Sequence, residues 1–569
     1  MKSVKEFMRT GRALVLFGGL MITMTGCDDF LAVPNLTAPD REDATASPSD
    51  LEAFIAGSFY PSMFNALHND IQGTSAFPLQ AAEFTATMQG QSTLLQFGDH
   101  VAEPRGVHDN GIVVSLGNGP QGPRDVWAHA HETNSVVHDG LEVLDGGVVI
   151  TEGSTDVTAK AQAFAKLIQG WSWGYLGLVF DEAHVVPEDV PIPQDPDELL
   201  EVTLETLAPY QDVIAAAVGA LEEAIAIAEQ NASVVTYPSF SQSNLWFGTT
   251  SPVSNTEFIQ LANTLAARFL VLSARDPQER AAVDWGRVLA FTANGLTTDL
   301  ELELSNQRQS VLLNHFTNDP NGERNYRWDY RAIGPADQSG AYQDWIASPL
   351  DQRDRFDIVT PDRRITGPTP TSDGSYAVYR ADDNGFSPDR GRYAYSAYQW
   401  RRHAFAVGLP SDDDETGDNL GTAVLVSADE NTLLRAEALA RTNDAAGAAI
   451  LANTTRTRAQ TAGGTGYPGL PEATADGAPA DPVSGDCVPR LDSGACGDIL
   501  AVIRYERMVE LAALDMVRGY ADSRGWGTLA DGTPIHYPVP GNALDQYGLA
   551  NYTYGGVGQP GGATYAPGT

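Results

Sequence analysis

Residues 425–459 read LVSADENTLLRAEALARTNDAAGAAILANTTRTRA and contain two apolar stripes separated by a short polar break. Leucine and alanine recur every three or four positions from Ser427 to Arg441, and small residues do so again from Asp444 to Ala459. This spacing places them on one face of an α-helix. The stretch therefore predicts two neighbouring helices that pair as a helical hairpin.

The same spacing recurs along most of the chain, as in Leu261, Leu265, Phe269 and Leu272, so helices are expected to dominate. The other candidate helices are Ser49 to Leu67, Arg124 to Leu144, Val157 to Phe180, Leu204 to Gln230, Asn255 to Ala274, Asp284 to Asn294 and Asp498 to Tyr520. Residues 297–426 differ, because proline, glycine, aspartate and aromatic residues crowd together there. They predict loops with short strands. The expected fold is mainly α, with helical hairpins and a loop-rich subregion that contains short strands.

The N-terminus has the pattern of an export signal. Basic residues dominate positions 2–12, and residues 13–24 are almost entirely apolar. About twelve apolar residues are too few for a helix that spans a bilayer, which needs roughly twenty, so residues 1–26 are interpreted as a signal peptide. The small residues before Cys27 resemble the lipobox of bacterial lipoproteins, whose cysteine is acylated after cleavage. An ordinary secretory signal with a chance cysteine is the alternative.

The charge and the cysteines narrow the class of protein. The formal net charge of −39 over 569 residues repels nucleic acid, so DNA or RNA binding is not expected. Apart from Cys27, the chain contains Cys487 and Cys496, which are separated by eight residues in CVPRLDSGAC. An exported protein meets an oxidising compartment, and these two cysteines are expected to form a disulfide. A metal or redox site is the alternative, but no CxxC motif or nearby histidine supports it.

Several motifs, in order from end to end, resemble the SusD/RagB-like outer-membrane nutrient-binding lipoproteins. The start of the mature chain, the paired helices ANTLAARFLVLSARDPQERAAVDWGRVLAFTANGL, the hairpin of residues 425–459 and the helix ILAVIRYERMVELAALDMVRGYADSRGW are similar to that family. The matching positions include Cys27, Phe30, Leu31, Pro34, Trp127, Asn134, Arg268, Trp285, Glu437, Asn453 and Arg456. Asp181, Asp515 and Ala543 depart from the family pattern.

The resemblance implies a fold of tetratricopeptide-like helical pairs in a lipoprotein at the outer face of the outer membrane. Such proteins bind an oligo- or polysaccharide or another bulky nutrient and deliver it to a TonB-dependent SusC-like transporter. The expected organisation is a signal peptide (1–26), a lipidated flexible tether (27–48), an N-terminal helical part (49–296), a loop-rich ligand-binding subregion (297–426) and a C-terminal helical part with a long loop and a turn-rich tail (427–569).

The candidate ligand-binding residues lie in the loop-rich subregion. Sugar is commonly bound by aromatic faces together with polar groups that hydrogen-bond its hydroxyls. Aromatic and polar residues of that kind alternate between positions 324 and 345: Arg324, Asn325, Trp328, Asp329, Tyr330, Tyr342 and Trp345. The alternative is that these rings pack the loops onto the helices. A second candidate segment is residues 68–96, with Asn69, Asp70 and Gln72.

Catalysis, a metal and a cofactor are not expected from the motifs. His129, His131 and His138 lack an HExxH motif, and exposed histidines on a helix are the expectation for them. Glu506 and Glu510 lie one helical turn apart, but Arg507 is a ready ion-pair neighbour, which favours a structural role over glycoside hydrolysis. The alternative function is a cell-surface glycan-degrading enzyme on a helical scaffold.

Overall fold

The computed structural model describes residues 45–64, 84–86, 110, 123–193, 195–304, 327–381, 395–400, 402, 421–512, 514–515 and 517–557. Several predicted features lie outside these ranges: the signal peptide, the lipidation site Cys27, and the candidate ligand-binding residues Arg324, Asn325, Asn69, Asp70 and Gln72. Within the described ranges, no helix combines the length and the apolarity that crossing a membrane requires.

Helices account for about half of the described chain, the strands are few and short, and the mainly α fold is confirmed. In the first half they are α1 (Pro48–Ala56), α2 (Pro123–Asp145), α3 (Thr158–Val179), α4 (Pro196–Thr206), α5 (Tyr210–Gln230), α6 (Asn255–Leu272), α7 (Pro277–Ala282) and α8 (Trp285–Ala293). In the second half they are α9 (Tyr330–Ile333), α10 (Ala341–Ala347), α11 (Ala428–Arg441), α12 (Ala445–Arg456), α13 (Ile499–Glu510), α14 (Arg518–Trp526) and α15 (Gly541–Tyr547).

The strands are short, as expected for the loop-rich subregion. They are β1 (Phe84–Ala86), β2 (Thr151–Glu152), β3 (Thr155–Asp156), β4 (Glu182–His184), β5 (Leu207–Pro209), β6 (Leu300–Leu304), β7 (Arg327–Asp329), β8 (Ala377–Tyr379), β9 (Tyr395–Trp400), β10 (Gly421–Val426), β11 (Gln460–Ala462) and β12 (Thr465–Tyr467). One antiparallel sheet has the order β1-β7-β9-β8, and the remaining strands pair as β10-β6, β11-β12, β2-β3 and β4-β5.

Helix α3 is the centre of the main core. It packs against α2, α5 and α6, and nearly all of its residues from Lys160 onward are buried. The close approach to α6 requires glycine at position 174, because a Cβ atom there would lie 2.2 Å from the ring of Phe269. A helix that is apolar on every side is expected only where other elements surround it.

The predicted hairpin of residues 425–459 is present as α11 and α12. Ser427 caps α11 by accepting a hydrogen bond from the Asp429 amide at 3.1 Å, and Asp444 caps α12 by accepting one from the Gly447 amide at 2.9 Å. Asn443 turns the chain between them with a left-handed φ of 67°. Leu434 and Ala438 of α11 belong to the same core as α3, so the N-terminal and C-terminal helical parts share one core.

The prediction of one continuous helix from Asp498 to Tyr520 is wrong, because α13 ends at Glu510 and α14 begins at Arg518. Asp515 accepts hydrogen bonds from the amides of Val517 and Arg518 at 2.8 and 3.1 Å, which stabilises the start of the second helix. The Asp515 carboxylate also contacts Arg268 of α6 at 3.0 Å. A tertiary ion pair thus coincides with the break between the two helices.

Buried ion pairs join the two helical parts. Arg280 of α7 forms a bidentate pair with Glu437 of α11, at 2.9 Å from Nε to Oε1 and 2.6 Å from Nη2 to Oε2. Asp522 lies beside the pair and accepts hydrogen bonds from Arg280 at 3.1 Å and from Arg507 at 2.7 Å. These groups are almost completely buried, so each charge is stabilised by its ion-pair partner in place of water.

Candidate functional site

The candidate aromatic residues of the loop-rich subregion are buried in a second core. Trp328, Tyr330, Tyr342 and Trp345 are between 0% and 4% exposed and pack with Met508 and other residues of α13. This burial favours the alternative that these rings pack the loops onto the helices, and it leaves little ring surface for a sugar. A segment with only short helices and strands has little other apolar surface to bury, so its large rings supply the core.

Local contacts explain how these residues are positioned. The Tyr330 ring stacks on Phe356 with 4.1 Å between centroids, and its hydroxyl donates a hydrogen bond to the Phe356 carbonyl at 2.6 Å. Asp329 is 2% exposed and caps α9 by accepting a hydrogen bond from the Arg331 amide at 2.7 Å. Asp329 is therefore a structural cap in this region and is not available to bond sugar hydroxyls.

A cavity of about 460 Å³ lies beside this second core. Its wall is formed by α9, α10, the loop of residues 489–493, α13 and the end of α14 with the residues that follow it. The volume is within the range of about 300–1,000 Å³ that is typical of small-molecule sites. Of the predicted ligand-binding residues within the described ranges, Tyr342 lines this cavity.

Tyr342 lines the cavity and has an unused hydroxyl. No residue in the described ranges forms a hydrogen bond with that hydroxyl, although the Tyr342 backbone amide donates to Asp337 at 3.3 Å. Burial raises the pKa of the Tyr342 hydroxyl, so it stays protonated at neutral pH. It can therefore both donate to and accept from a bound molecule.

Arg504 of α13 lines the cavity and is only partly buried. Among the arginines whose side chains the structure describes, it is the one without a hydrogen bond or an ion pair. The other two arginines of the wall are engaged: Arg331 pairs with Asp329 at 3.3 Å, and Arg490 donates to the Gln338 carbonyl at 3.2 Å. The Arg504 guanidinium is thus a free polar group of the cavity wall.

Trp526 supplies an aromatic surface to the same cavity. It is the last residue of α14, and Gly527 ends the helix with a left-handed φ of 70°. The Trp526 ring is partly exposed, and its indole N–H has no hydrogen-bond partner within the described ranges. Sequence reasoning missed both Trp526 and Arg504, because each belongs to a helix whose spacing indicates only packing.

A disulfide between Cys487 and Cys496 closes the loop that lines one side of the cavity, with 5.6 Å between the Cα atoms. Gln338 fixes this loop from the loop-rich subregion: it accepts a hydrogen bond from the Cys487 amide at 2.9 Å and donates to the Cys487 carbonyl at 2.8 Å. The loop between the cysteines contains glycine, proline and aspartate, and this composition is the sequence signal that could have indicated this side of the cavity.

The histidines of α2 differ in their environments. The expectation of exposed histidines is wrong for His138, which is 2% exposed and whose Nε2 lies 3.0 Å from the Val190 carbonyl. Its possible ligand atom lies within 4.8 Å of those of Asp139 and Glu142. All three residues come from neighbouring turns of one helix, whereas a structural zinc site needs four ligands. This cluster by itself does not indicate a metal site.

Glu506 and Glu510 are completely buried in ion pairs. Arg364 contacts Glu506 at 2.6 Å and Glu510 at 3.3 Å, and Arg402 contacts Glu510 at 3.0 Å. Burial alone would raise the pKa of Glu510, but the guanidiniums of Arg402 and Arg364 hold it below its usual range. The two carboxylates therefore hold the loop-rich subregion against α13.

No family model matches this sequence, and no curated protein matches it. Solved structures of low sequence identity are similar to the chain. A SusD superfamily protein from Bacteroides fragilis is 14% identical, with 89% of this chain and 99% of that protein covered and a TM-score of 0.48. A SusD homolog from Parabacteroides distasonis is 12% identical, with 83% and 84% covered and a TM-score of 0.49.

A third similar structure is described as a SusD-like carbohydrate binding protein from Bacteroides vulgatus. It is 14% identical, with 82% of this chain and 81% of that protein covered and a TM-score of 0.43.

Proposed function

We propose that this chain is an outer-membrane lipoprotein that binds an oligo- or polysaccharide in the cavity beside the disulfide loop and delivers it to a TonB-dependent SusC-like transporter. One observation carries the binding role. Tyr342, Arg504 and Trp526 each present a polar group without a partner in the described ranges, and all three line one cavity.

The chemistry of this wall suits a saccharide. Trp526 offers apolar ring surface with a polar N–H at its edge, a combination that is typical of recognition sites between an apolar and an aqueous environment. The Tyr342 ring is buried, so this residue can contribute its hydroxyl. The Arg504 guanidinium adds several donors in a planar arrangement. Sugar presents C–H faces and hydroxyls together, so a wall of this composition can bind both kinds of group.

The proposed role is non-catalytic. General acid-base hydrolysis of a glycoside needs two carboxyl groups that flank the scissile bond. Asp492 is the one carboxylate in the cavity wall, and it is exposed in the disulfide loop. Glu506 and Glu510, the candidate pair from the sequence, are engaged with arginines. A surface glycan-degrading enzyme remains the alternative that the binding experiment also tests.

The export, anchoring and delivery steps rest on the sequence. The signal peptide and Cys27 support a lipid anchor, and the motif order supports a partnership with a SusC-like transporter. Radiolabelled palmitate should enter the protein in growing cells and be absent from a Cys27→Ala variant. Added protease should degrade the protein on intact cells if it faces the exterior, and protection of the protein would contradict that orientation.

The binding role is tested by affinity gel electrophoresis of the purified protein through a panel of polysaccharides. Retardation by at least one glycan is expected, without shortening of that glycan. Tyr342→Phe removes only the hydroxyl, and Trp526→Ala removes the ring, so both should weaken the retardation. Tyr467→Ala is the matched control, because this partly exposed ring lies outside the cavity wall.

Three outcomes would contradict the proposal. If no glycan slows the protein, the binding role is wrong. If the variants bind as the wild type does, the cavity is not the site. If the glycan is cleaved, the enzymatic alternative replaces the non-catalytic one.

A further inference from the structure

One arginine of the cavity wall has no carboxylate to balance it in a strongly acidic protein. Of the three arginines of the wall, Arg331 is paired with Asp329 at 3.3 Å and Arg490 lies 3.7 Å from Asp486. The third, Arg504, forms no ion pair within the described ranges, although the whole chain carries a formal net charge of −39. An unbalanced guanidinium against that background requires its own explanation, because carboxylates outnumber cations in this chain.

Arg504 is the group that distinguishes this wall from the rest of the structure. Arginines of the interior are matched with carboxylates, such as Arg280 with Glu437 and Arg364 with Glu506, or with backbone carbonyls. Arg504 has no such partner in the described part of the chain, although it is partly buried. None of its guanidinium nitrogens is fully buried, so the group is open to a ligand that enters the cavity.

From these two observations we infer that the cavity recognises a saccharide that carries a carboxylate, such as a uronic acid, with Arg504 as the group that binds the carboxylate. This inference rests on the proposed function and names the ligand class for the same cavity. Arginine presents two parallel N–H donors that match the two oxygens of a carboxylate. Trp526 then contacts the sugar ring and the Tyr342 hydroxyl bonds a sugar hydroxyl, because the acid group leaves the other hydroxyls and the C–H faces unchanged.

The long-range field of the protein does not favour an anion, so recognition must come from the short-range contacts. At physiological ionic strength the Debye length is about 8 Å, and charges beyond that distance are largely screened. A ligand in contact with Arg504 lies well inside that distance from the guanidinium, whereas more distant acids act on the ligand only weakly. Binding of the acid should therefore persist at 0.15 M salt, the ionic strength for which that Debye length holds.

The test compares oligogalacturonate with its methyl ester, measured by isothermal titration calorimetry on the purified protein at about 0.15 M salt. The two probes share their hydroxyl pattern and differ in the charge of the carboxyl group. Wild type should bind the acid at least about tenfold more tightly than the ester, since a hydrogen bond to a charged group contributes about 1.5–3 kcal/mol.

Substitutions of Arg504 test whether this side chain causes the preference for the acid over the ester. Arg504→Gln should reduce affinity for the acid by about 10- to 100-fold and leave affinity for the ester nearly unchanged. Arg504→Lys keeps the positive charge but loses the paired N–H donors of the guanidinium. Its affinity for the acid should therefore lie between those of wild type and Arg504→Gln. Arg287→Gln is the control, since Arg287 is 40% exposed in an ion pair with Glu222 and is not part of the cavity wall. An unchanged melting temperature of Arg504→Gln would show that it folds.

The outcomes separate the ligand class from the proposed function. Equal or tighter binding of the ester, or an acid affinity that Arg504→Gln does not change, would overturn the inference while the glycan-binding role stands. Binding of hexaglutamate through Arg504, without binding of the uronate, would make an acidic peptide the ligand and also overturn it. If no glycan binds in the calorimeter or in the gel, the ligand class and the proposed function both fail.

Discussion

Replacing the buried Glu437 by glutamine is expected to destabilise the protein strongly. Glu437→Gln keeps the size of the side chain and removes its charge, so the Arg280 guanidinium loses its bidentate carboxylate. Both side chains are 2% exposed or less, which leaves water no access to the uncompensated cation. Arg280 retains a contact with Asp522 at 3.1 Å, so the loss is partial.

Two arguments give the size of the stability loss expected for Glu437→Gln. Burial alone would raise the pKa of Glu437, but the Arg280 guanidinium holds it at about 2, against an ordinary value of 4.5. A difference of that size corresponds to about 3 kcal/mol of stability at neutral pH. Removing one partner of a buried ion pair typically costs about 3–5 kcal/mol. We therefore expect Glu437→Gln to lower the free energy of unfolding by about 3 kcal/mol.

The assay is urea unfolding at pH 7, followed by tryptophan fluorescence. Glu222→Gln is the matched control, because Glu222 also pairs with an arginine of another helix, at 2.7 Å, but the two side chains are 47% and 40% exposed. An exposed pair contributes about 0–1 kcal/mol, so the control should lose less than that. Equal losses in the two variants would refute the argument that burial makes the Arg280 pair important.

The pH dependence gives a second readout of the same pair. The pKa of Glu437 is lower in the folded chain than its ordinary value of 4.5, so its contribution is complete above about pH 4.5 and is lost as the pH falls towards 2. The stability difference between wild type and Glu437→Gln should therefore shrink between these values. A difference that stays constant down to about pH 2 would mean that the carboxylate charge is not its source.

Three further predictions concern packing, the disulfide and a buried imidazole. Gly174→Ala should lower the free energy of urea unfolding by several kcal/mol, because its Cβ would lie 2.2 Å from a neighbouring ring. Gly219→Ala is the control: a Cβ there meets nothing within 4 Å, so the substitution should stabilise its helix by about 0.5–1 kcal/mol. Replacing Cys487 and Cys496 by serine should weaken glycan binding in affinity gels, because the loop that they close lines the cavity, and unchanged retardation would contradict that. Burial lowers the pKa of His184 to about 4, so wild type should lose stability as the pH falls from 6.5 to 4. If a His184→Gln variant loses as much stability over the same pH range, protonation of His184 is not the cause.

The helical architecture was predictable because it depends on contacts between residues three and four positions apart. The hairpin of residues 425–459 was predicted within a few residues of its observed helices, since its period and its polar break are both local features. The boundary between α13 and α14 was missed. The Asp515 carboxylate accepts hydrogen bonds at the start of the second helix and also pairs with Arg268, which is distant in sequence, and no local pattern reports such a contact.

The site depended on the tertiary structure. Trp328 and Trp345 have the residue type and the polar neighbours of a binding loop, yet they are buried, because burial depends on what packs against a ring. Arg504 and Trp526 have the spacing of packed helical residues, yet they line the cavity with Tyr342. The amino-acid order determined which segments are helical, through short-range periodicity. Only the packing of distant segments decided which rings and charges remain free for a ligand.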